Sequence, residues 1–237
     1  MVKTETKHSD AEQLVRTKLD ELIEFRRQTD DIKEFWGKQF DLGLAWVQYP
    51  EGAGGLGINP KYQLLVTEKL REEGISQQNR VANILGIGMG APTIIEYGTP
   101  EQISKYLRPM FTTDEIWCQM FSEPGSGSDL ASLSTKAVDD GDGYIVNGQK
   151  VWTTLGHLAN WGLLVTRTDP DVPKHRGLTF FIVDMESDGV DVRPLRQITG
   201  EAEFNEVYFT DVKIPKENML GYLGDGWSVS LLSLIHI

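Results

Sequence analysis

Met120-Phe-Ser-Glu-Pro-Gly-Ser-Gly-Ser-Asp129 packs three serines and two glycines around one proline, directly after a run of strand-like residues. Such a loop exposes many N–H and hydroxyl donors, and its glycines let a ligand come close to the backbone. It suits a phosphate or the polar edge of a ring, and the same composition also makes an ordinary turn between strands. Further on stands Lys150-Val-Trp-Thr-Thr154. A Trp there can lie against a planar cofactor while a neighbouring hydroxyl bonds a ring nitrogen or carbonyl, although a strand Trp is also ordinary core. Neither segment decides the fold alone; their order and the elements around them do.

Upstream the period is helical. Between Ala11 and Arg27 the apolar residues Leu14, Val15, Leu19, Leu22, Ile23 and Phe25 recur at three- and four-residue steps, as on an amphipathic helix. A second helix is expected from Asp30, with Ile32, Phe35, Trp36 and Phe40 on one side, ahead of the glycine-rich stretch Glu51 to Gly57. Asn59-Pro60 starts a third, since Asn caps free N–H groups and Pro suits the first helical position. Val81 to Tyr97 reads as helical and glycine-rich, with Gly98 as a left-handed stop. Thr99-Pro100-Glu101-Gln102 is a capping box that opens another helix, to Pro109 or Phe111.

From Glu115 the period falls to two. Tyr144 to Trp152 reads as a β-hairpin turning at Asn147-Gly148, a pair suited to a type I′ turn. Gly177 to Val183 and Glu206 to Val212 are expected strands, with Pro215 ending the last. Glu201, Glu203 and Glu206 read as a solvated sheet edge. The expected architecture is therefore α+β and multidomain: an all-α domain over residues 1–114, an antiparallel β-barrel-like domain over 115–220, and over 221–237 the start of a helical region. The tail Leu232-Ser-Leu-Ile-His-Ile237 carries no stop signal and matches what a common sequencing-library adapter encodes in this frame, so it is expected to be foreign to the protein.

Bulk properties narrow the function. With 40% hydrophobic and 24% charged residues the chain is globular. A net charge of −12 with scattered Lys and Arg excludes the footprint of a nucleic-acid binder, while backbone N–H groups can still take a polyanion. Cys118 is the single cysteine, so neither an internal disulfide nor a thiolate metal site can form, and no metal is expected. The polar N-terminus lacks targeting character, and no apolar run is long enough to span a bilayer. A cytoplasmic location follows as the expectation.

Taken together, Leu14 to Trp227 resembles the N-terminal and middle domains of the acyl-CoA dehydrogenase family. Ser122-Glu-Pro-Gly-Ser-Gly-Ser-Asp129 matches its signature loop, and Tyr49-Pro-Glu-Gly-Ala-Gly-Gly-Leu-Gly57 and Gly98-Thr-Pro-Glu-Gln102 are similar to the family at corresponding places. The resemblance implies FAD as cofactor. It implies that Gln119, Phe121 and Ser122 line the isoalloxazine ring, that Ser128 lies near the FAD pyrophosphate and the acyl thioester, that Trp152 packs on the flavin, and that Thr154 bonds flavin N5. The implied reaction removes the α-proton of an acyl-CoA with a carboxylate while a β-hydride passes to N5, and two electrons leave through an electron-transfer flavoprotein. A homo- or hetero-oligomer is the implied assembly.

Two features depart from the pattern. The family often has Asn-Gly or Asn-Ala after the N5-bonding residue, whereas this chain has Leu155-Gly156-His157. The catalytic glutamate belongs to a C-terminal helical bundle absent from these residues, so no residue here inherits that role, and Glu123 reads as structural. An acyl-CoA oxidase or flavin monooxygenase on the same scaffold stays open, as does a non-catalytic partner subunit of a heteromeric dehydrogenase. Acyl-chain identity also stays open from short-chain to steroid-derived thioesters, although Gly200 to Glu206 is similar to bacterial members acting on bulky acyl groups.

Overall fold

The computed structural model describes residues 2–235, with side chains from Asp10 to Leu234. Met1 and, of the suspected foreign tail, His236 and Ile237 lie outside the described residues. Two units form. One comprises the chain up to Asn83 together with Ile103–Asp114, and the other comprises Ile84–Gln102 together with the chain from Glu115 onward.

In the first unit, α1 (Val2–Arg26) turns Val15, Leu19, Leu22 and Ile23 inward and leaves Leu14 partly exposed. α2 (Ile32–Asp41) starts where Asp31 accepts bonds from the Lys33 and Glu34 N–H groups, which satisfies orphan donors of the first turn. Its face buries Phe35, Trp36 and Phe40, and the last joins an aromatic cluster with Trp46 and Phe111. Asn59 caps a short 3₁₀ turn, Pro60–Tyr62, that leads into α3 (Gln63–Glu72). The predicted start signal therefore opens a tighter turn before the helix proper.

The helix expected over Val81 to Tyr97 is broken. α4 (Asn79–Ala82) ends at Asn83, a π-helical turn spans Gly86–Gly90, and α5 (Ala91–Tyr97) follows. Asn83 is buried with its amide donating to the Met110 carbonyl, a tertiary bond that a continuous helix would forfeit. Gly98 is extended, with φ −80° and ψ 158°, rather than left-handed. A Cβ there would lie 2.4 Å from the Ile94 carbonyl oxygen, so this glycine serves close approach. The capping box is reciprocal: Gln102 Oε1 accepts from Thr99 N–H at 3.0 Å and Thr99 Oγ1 from Gln102 N–H at 3.3 Å. α6 runs over Pro100–Thr112.

Among the described residues the second unit is built on eight strands: β1 (Trp117–Met120), β2 (Lys136–Asp139), β3 (Gly143–Thr154), β4 (Trp161–Arg167), β5 (Leu178–Asp184), β6 (Val190–Leu195), β7 (Phe204–Pro215) and β8 (Met219–Leu220). Their order is β6-β7-β3-β2-β4-β5-β8, with β1 also on β4. The sheet is mostly antiparallel, but β4 pairs parallel with both β1 and β2. It does not close, so the barrel-like expectation is corrected: the path ends at β6 on one side and at the two-residue β8 on the other. Tyr144, Val146, Leu164, Phe181, Val207 and Phe209 form its core, and α7 (Gly226–Ile235) belongs to the same unit.

The hairpin expected at Asn147-Gly148 does not form. β3 runs straight through that pair for twelve residues, and the chain reverses instead at Asp140 to Asp142, between β2 and β3. The physical reason is tertiary: Asn147 exchanges two bonds of 2.9 Å with Asp211 on β7. The expected acidic edge holds only in part: Glu201 and Glu203 are exposed ahead of β7, but β7 itself is no edge, being flanked by β3 and β6, and Glu206 is half-buried and accepts a bond from Tyr208 Oη two residues on along the same strand. β4 has no counterpart among the expected strands. No helix of the described residues is long and apolar enough to cross a membrane.

Candidate functional site

The two segments singled out in the sequence lie side by side. β1 delivers the loop at Phe121, and the loop's first residues run along the end of β3, where Val151 N–H donates to the Ser122 carbonyl at 2.9 Å. Lys150 locks the junction. Its side chain is fully buried, and its Nζ donates to the Phe121 carbonyl at 3.0 Å and to Glu123 Oε1 at 2.9 Å. Glu123 Oε1 also accepts from Thr135 N–H, while Oε2 accepts from both the N–H and the hydroxyl of Ser134. One carboxylate thus ties the start of the loop to the chain beyond its end and to β3.

Burial alone would raise the Glu123 carboxyl, but the Lys150 ammonium and the donors of Thr135 and Ser134 outweigh it and hold it well below the usual carboxylate range. Burial lowers Lys150 from the ordinary lysine value, against the opposing pull of Glu123. Inside the loop, Glu123 and Ser126 exchange two backbone bonds, and Ser126 Oγ donates to the Asp129 carbonyl at 2.6 Å. Asp129 is held in turn by Lys174 at 2.7 Å. Gly125 and Gly127 face open space, since a Cβ on either would meet nothing within 4 Å. The loop is therefore rigid at its base and open at its rim.

β3 ends in a bulge. Lys150 pairs with Val207 and Thr153 with Asn205, so three steps on β3 match two on β7, leaving one extra residue. Around that bulge Trp152 adopts a left-handed backbone, φ 61°, and its ring stands 61% exposed, edge-on to Phe204 at 6.0 Å. A left-handed aromatic residue is costly and survives only where its surroundings impose it. The ordinary expectation for a strand Trp was core packing; this one is turned outward.

The remaining predicted site residues fall around these two features. Phe121 is buried edge-on against Phe180 at 5.6 Å, Ser122 and Thr154 are half-buried, and Ser128 is exposed at the loop rim. Gln119 sits on β1 just before the loop, and its Nε2 is buried without a partner. An unmatched buried donor costs about 1–3 kcal/mol. A flat ligand with acceptors along one edge and a polyanionic tail fits this set, because it offers an acceptor to Gln119, a face to Trp152 and negative charge to the open loop. FAD has that chemistry. Neither Lys150 as the partner of Glu123 nor Asn205 on β7 is legible in the sequence, since a lone Lys or Asn in an alternating strand carries no signal of inward pairing.

Comparison with known proteins identifies the family. Residues 5–114 match the sequence profile described as the acyl-CoA dehydrogenase N-terminal domain, and residues 118–212 match that of the middle domain. The acyl-CoA dehydrogenase FadE34 of Mycobacterium tuberculosis is 46% identical over 195 residues, which is 82% of this chain and 27% of that protein. The ChsE4–ChsE5 complex from Mycobacterium tuberculosis superposes with a TM-score of 0.68 at 32% identity, over 100% of this chain and 60% of that one. The Tcur3481–Tcur3483 steroid ACAD gives 0.68 at 26% identity, over 96% and 61%. This chain belongs to the acyl-CoA dehydrogenase family, a family of flavin-dependent oxidoreductases. It spans less than two thirds of each of these relatives.

Proposed function

We propose that this chain is the flavin-holding portion of an FAD-dependent acyl-CoA dehydrogenase that introduces an α,β double bond into an acyl-CoA thioester and passes the electrons to an electron-transfer flavoprotein. The observation that carries this proposal is the exposed, left-handed Trp152, hydrogen-bonded through its neighbour Val151 to the first residues of the serine–glycine loop. FAD, when bound, supplies a hydride-accepting ring nitrogen, N5. In this proposal the Trp152 ring covers one face of the site and excludes water from it, while Phe121 closes its inner side. Gln119 Nε2 and the Ser122 hydroxyl donate to the ring edge, and the Thr154 hydroxyl donates at N5. The N–H groups of Gly125, Gly127 and Ser128 would hold the pyrophosphate without a cation, the Ser126 N–H being engaged by the Glu123 carbonyl, and Ser128 would also reach the thioester.

Glu123 is not the base. Its two carboxylate oxygens accept four bonds from Lys150, Thr135 and Ser134, and its depressed pKa makes it a poor proton acceptor. By the family resemblance the α-proton goes to a glutamate of the C-terminal helical bundle, outside residues 1–237, and these residues alone are expected to show no turnover. The likeness to a steroid ACAD supports a bulky polycyclic acyl group over a short chain as substrate.

The test is a fluorescence titration of the chain with FAD, together with its absorbance spectrum. Saturable quenching of flavin emission is expected, and Trp152→Ala should weaken binding about tenfold, as loss of an aromatic contact of ~1.4 kcal/mol implies. A chain that takes up no FAD at high micromolar concentration would remove the flavin assignment. In the intact protein, oxygen consumption without an artificial electron acceptor would favour the oxidase or monooxygenase alternative.

A further inference from the structure

Behind the outward-turned Trp152 lies a polar cluster for which the family resemblance assigns no role. Asn205, fully buried on β7, donates through Nδ2 to the Thr153 carbonyl at 2.9 Å and toward the Glu203 carbonyl at 3.4 Å. Its amide orientation is fixed by these partners, because two carbonyls demand the NH₂ end. Oδ1 therefore faces His157 Nδ1 at 3.2 Å as an acceptor, and Nδ1 must carry the hydrogen. The cluster spans both sides of a strained segment: Trp152 and Leu155 are both left-handed, with φ 61° and 57°, and Leu155 N–H donates to the Glu203 carbonyl at 2.9 Å. Two left-handed residues within four positions persist only where the surroundings over-determine them. Asn205 is the group that touches the bulge and the turn together.

We propose that Asn205 and His157 form a bracket that positions the flavin-facing segment: Asn205 holds the Thr153 carbonyl and His157 Nδ1–H holds Asn205 in register, so that Trp152 stays outward and Thr154 stays in place. Both are positioning residues and neither touches the cofactor. This proposal rests on the reading that Trp152 and Thr154 face the flavin. A smaller residue at 157 would leave Asn205 Oδ1 unmatched. Gly156 fits the same design, since a Cβ there would lie 3.1 Å from Thr153 Cγ2 and 3.4 Å from Asn205 Cβ.

The experiment compares His157→Leu, which deletes the donor, with His157→Asn, whose amide nitrogen takes the place of Nδ1. His157 is exposed, so both variants of the full chain should fold with thermal midpoints close to the parent's. Two readouts are taken: acrylamide quenching of Trp152, isolated as the difference from a matched Trp152→Phe chain, and the dissociation constant for FAD. His157→Leu should change the Trp152 quenching constant by roughly twofold and weaken FAD binding about fivefold, the scale set by one hydrogen bond; His157→Asn should restore both. If His157→Leu matches the parent in both readouts, or His157→Asn fails to rescue, the bracket is wrong. If the parent itself takes up no FAD, the flavin proposal fails, and Trp152 quenching still decides whether the bracket exists.

Discussion

A buried ion pair is weak evidence for stability in general, because desolvation offsets much of the Coulombic gain. Lys150 and Glu123 are better read through what they connect. Removing either partner leaves an uncompensated charge among backbone carbonyls or N–H groups, so Lys150→Met or Glu123→Ala should each cost about 3–5 kcal/mol, measured by denaturant unfolding. The double substitution should cost much less than the sum. The pH dependence follows from the sign of the shift. Glu123 has a folded-state pKa depressed from 4.5 toward about 2, so its contribution is fully present above about 4.5 and is lost as pH falls through that window. Glu123→Gln should flatten the unfolding free energy over the same range; a parent whose stability does not fall between pH 4.5 and 2 would contradict this. The structural role of Glu123 was legible in the sequence, because a family that uses a carboxylate elsewhere leaves this one free for another task. Lys150 as its partner was not, since pairing across 27 positions has no local signature.

At the scale of elements, β3 and β7 carry two bulges of opposite sense, each fastened by an asparagine from the other strand. Between Val146 and Gly148 the extra residue lies on β7, where left-handed Asp211 is gripped by Asn147, and between Lys150 and Thr153 it lies on β3, where left-handed Trp152 is backed by Asn205. Asn147-Gly148 looked like a hairpin turn because positive-φ residues serve turns and bulges alike. What the local sequence lacked was the partner strand, some sixty residues away. Gly148 is needed here for approach as much as for conformation: a Cβ would lie 2.5 Å from Thr135 Oγ1 and 2.7 Å from Thr135 Cα. Gly148→Ala should therefore destabilise the second unit by about 1–3 kcal/mol, and because Thr135 N–H also holds Glu123, it should loosen the serine–glycine loop. Hydrogen exchange at Ser134 and Thr135 would report this; unchanged protection there would show that the sheet and the loop are not coupled. The capping box, by contrast, was legible because every one of its bonds is local. The residues proposed to face the flavin were legible only as a resemblance, for nothing in an alternating strand announces that its Trp points to solvent.

For the whole molecule the question is how a chain of net charge −12 would take up FAD, the proposed ligand, which is itself anionic. Long-range repulsion opposes binding, so affinity must come from short-range donors and ring contacts at the loop and bulge. Salt dependence separates this from a cationic site. Raising ionic strength from about 0.05 to 0.5 M shortens the screening length from more than 10 Å to under 5 Å, which should leave FAD affinity unchanged or improve it severalfold. A steep loss of affinity with salt would instead mean that lysines or arginines carry the pyrophosphate. Stability gives an independent measure. FAD at a hundred times its dissociation constant adds about 2.7 kcal/mol to the state that binds it, and in a chain of this size that corresponds to a thermal shift of roughly 5–10 °C. The serine–glycine loop and β3 belong to the second unit, so the shift should appear in the transition of that unit. In the transition of the helical unit it should be much smaller. Tryptophan emission can follow both, since Trp36 and Trp46 report the first unit and Trp117, Trp152, Trp161 and Trp227 the second. An equal shift in both transitions would show that the ligand also depends on the first unit and that the loop and bulge are only part of its site.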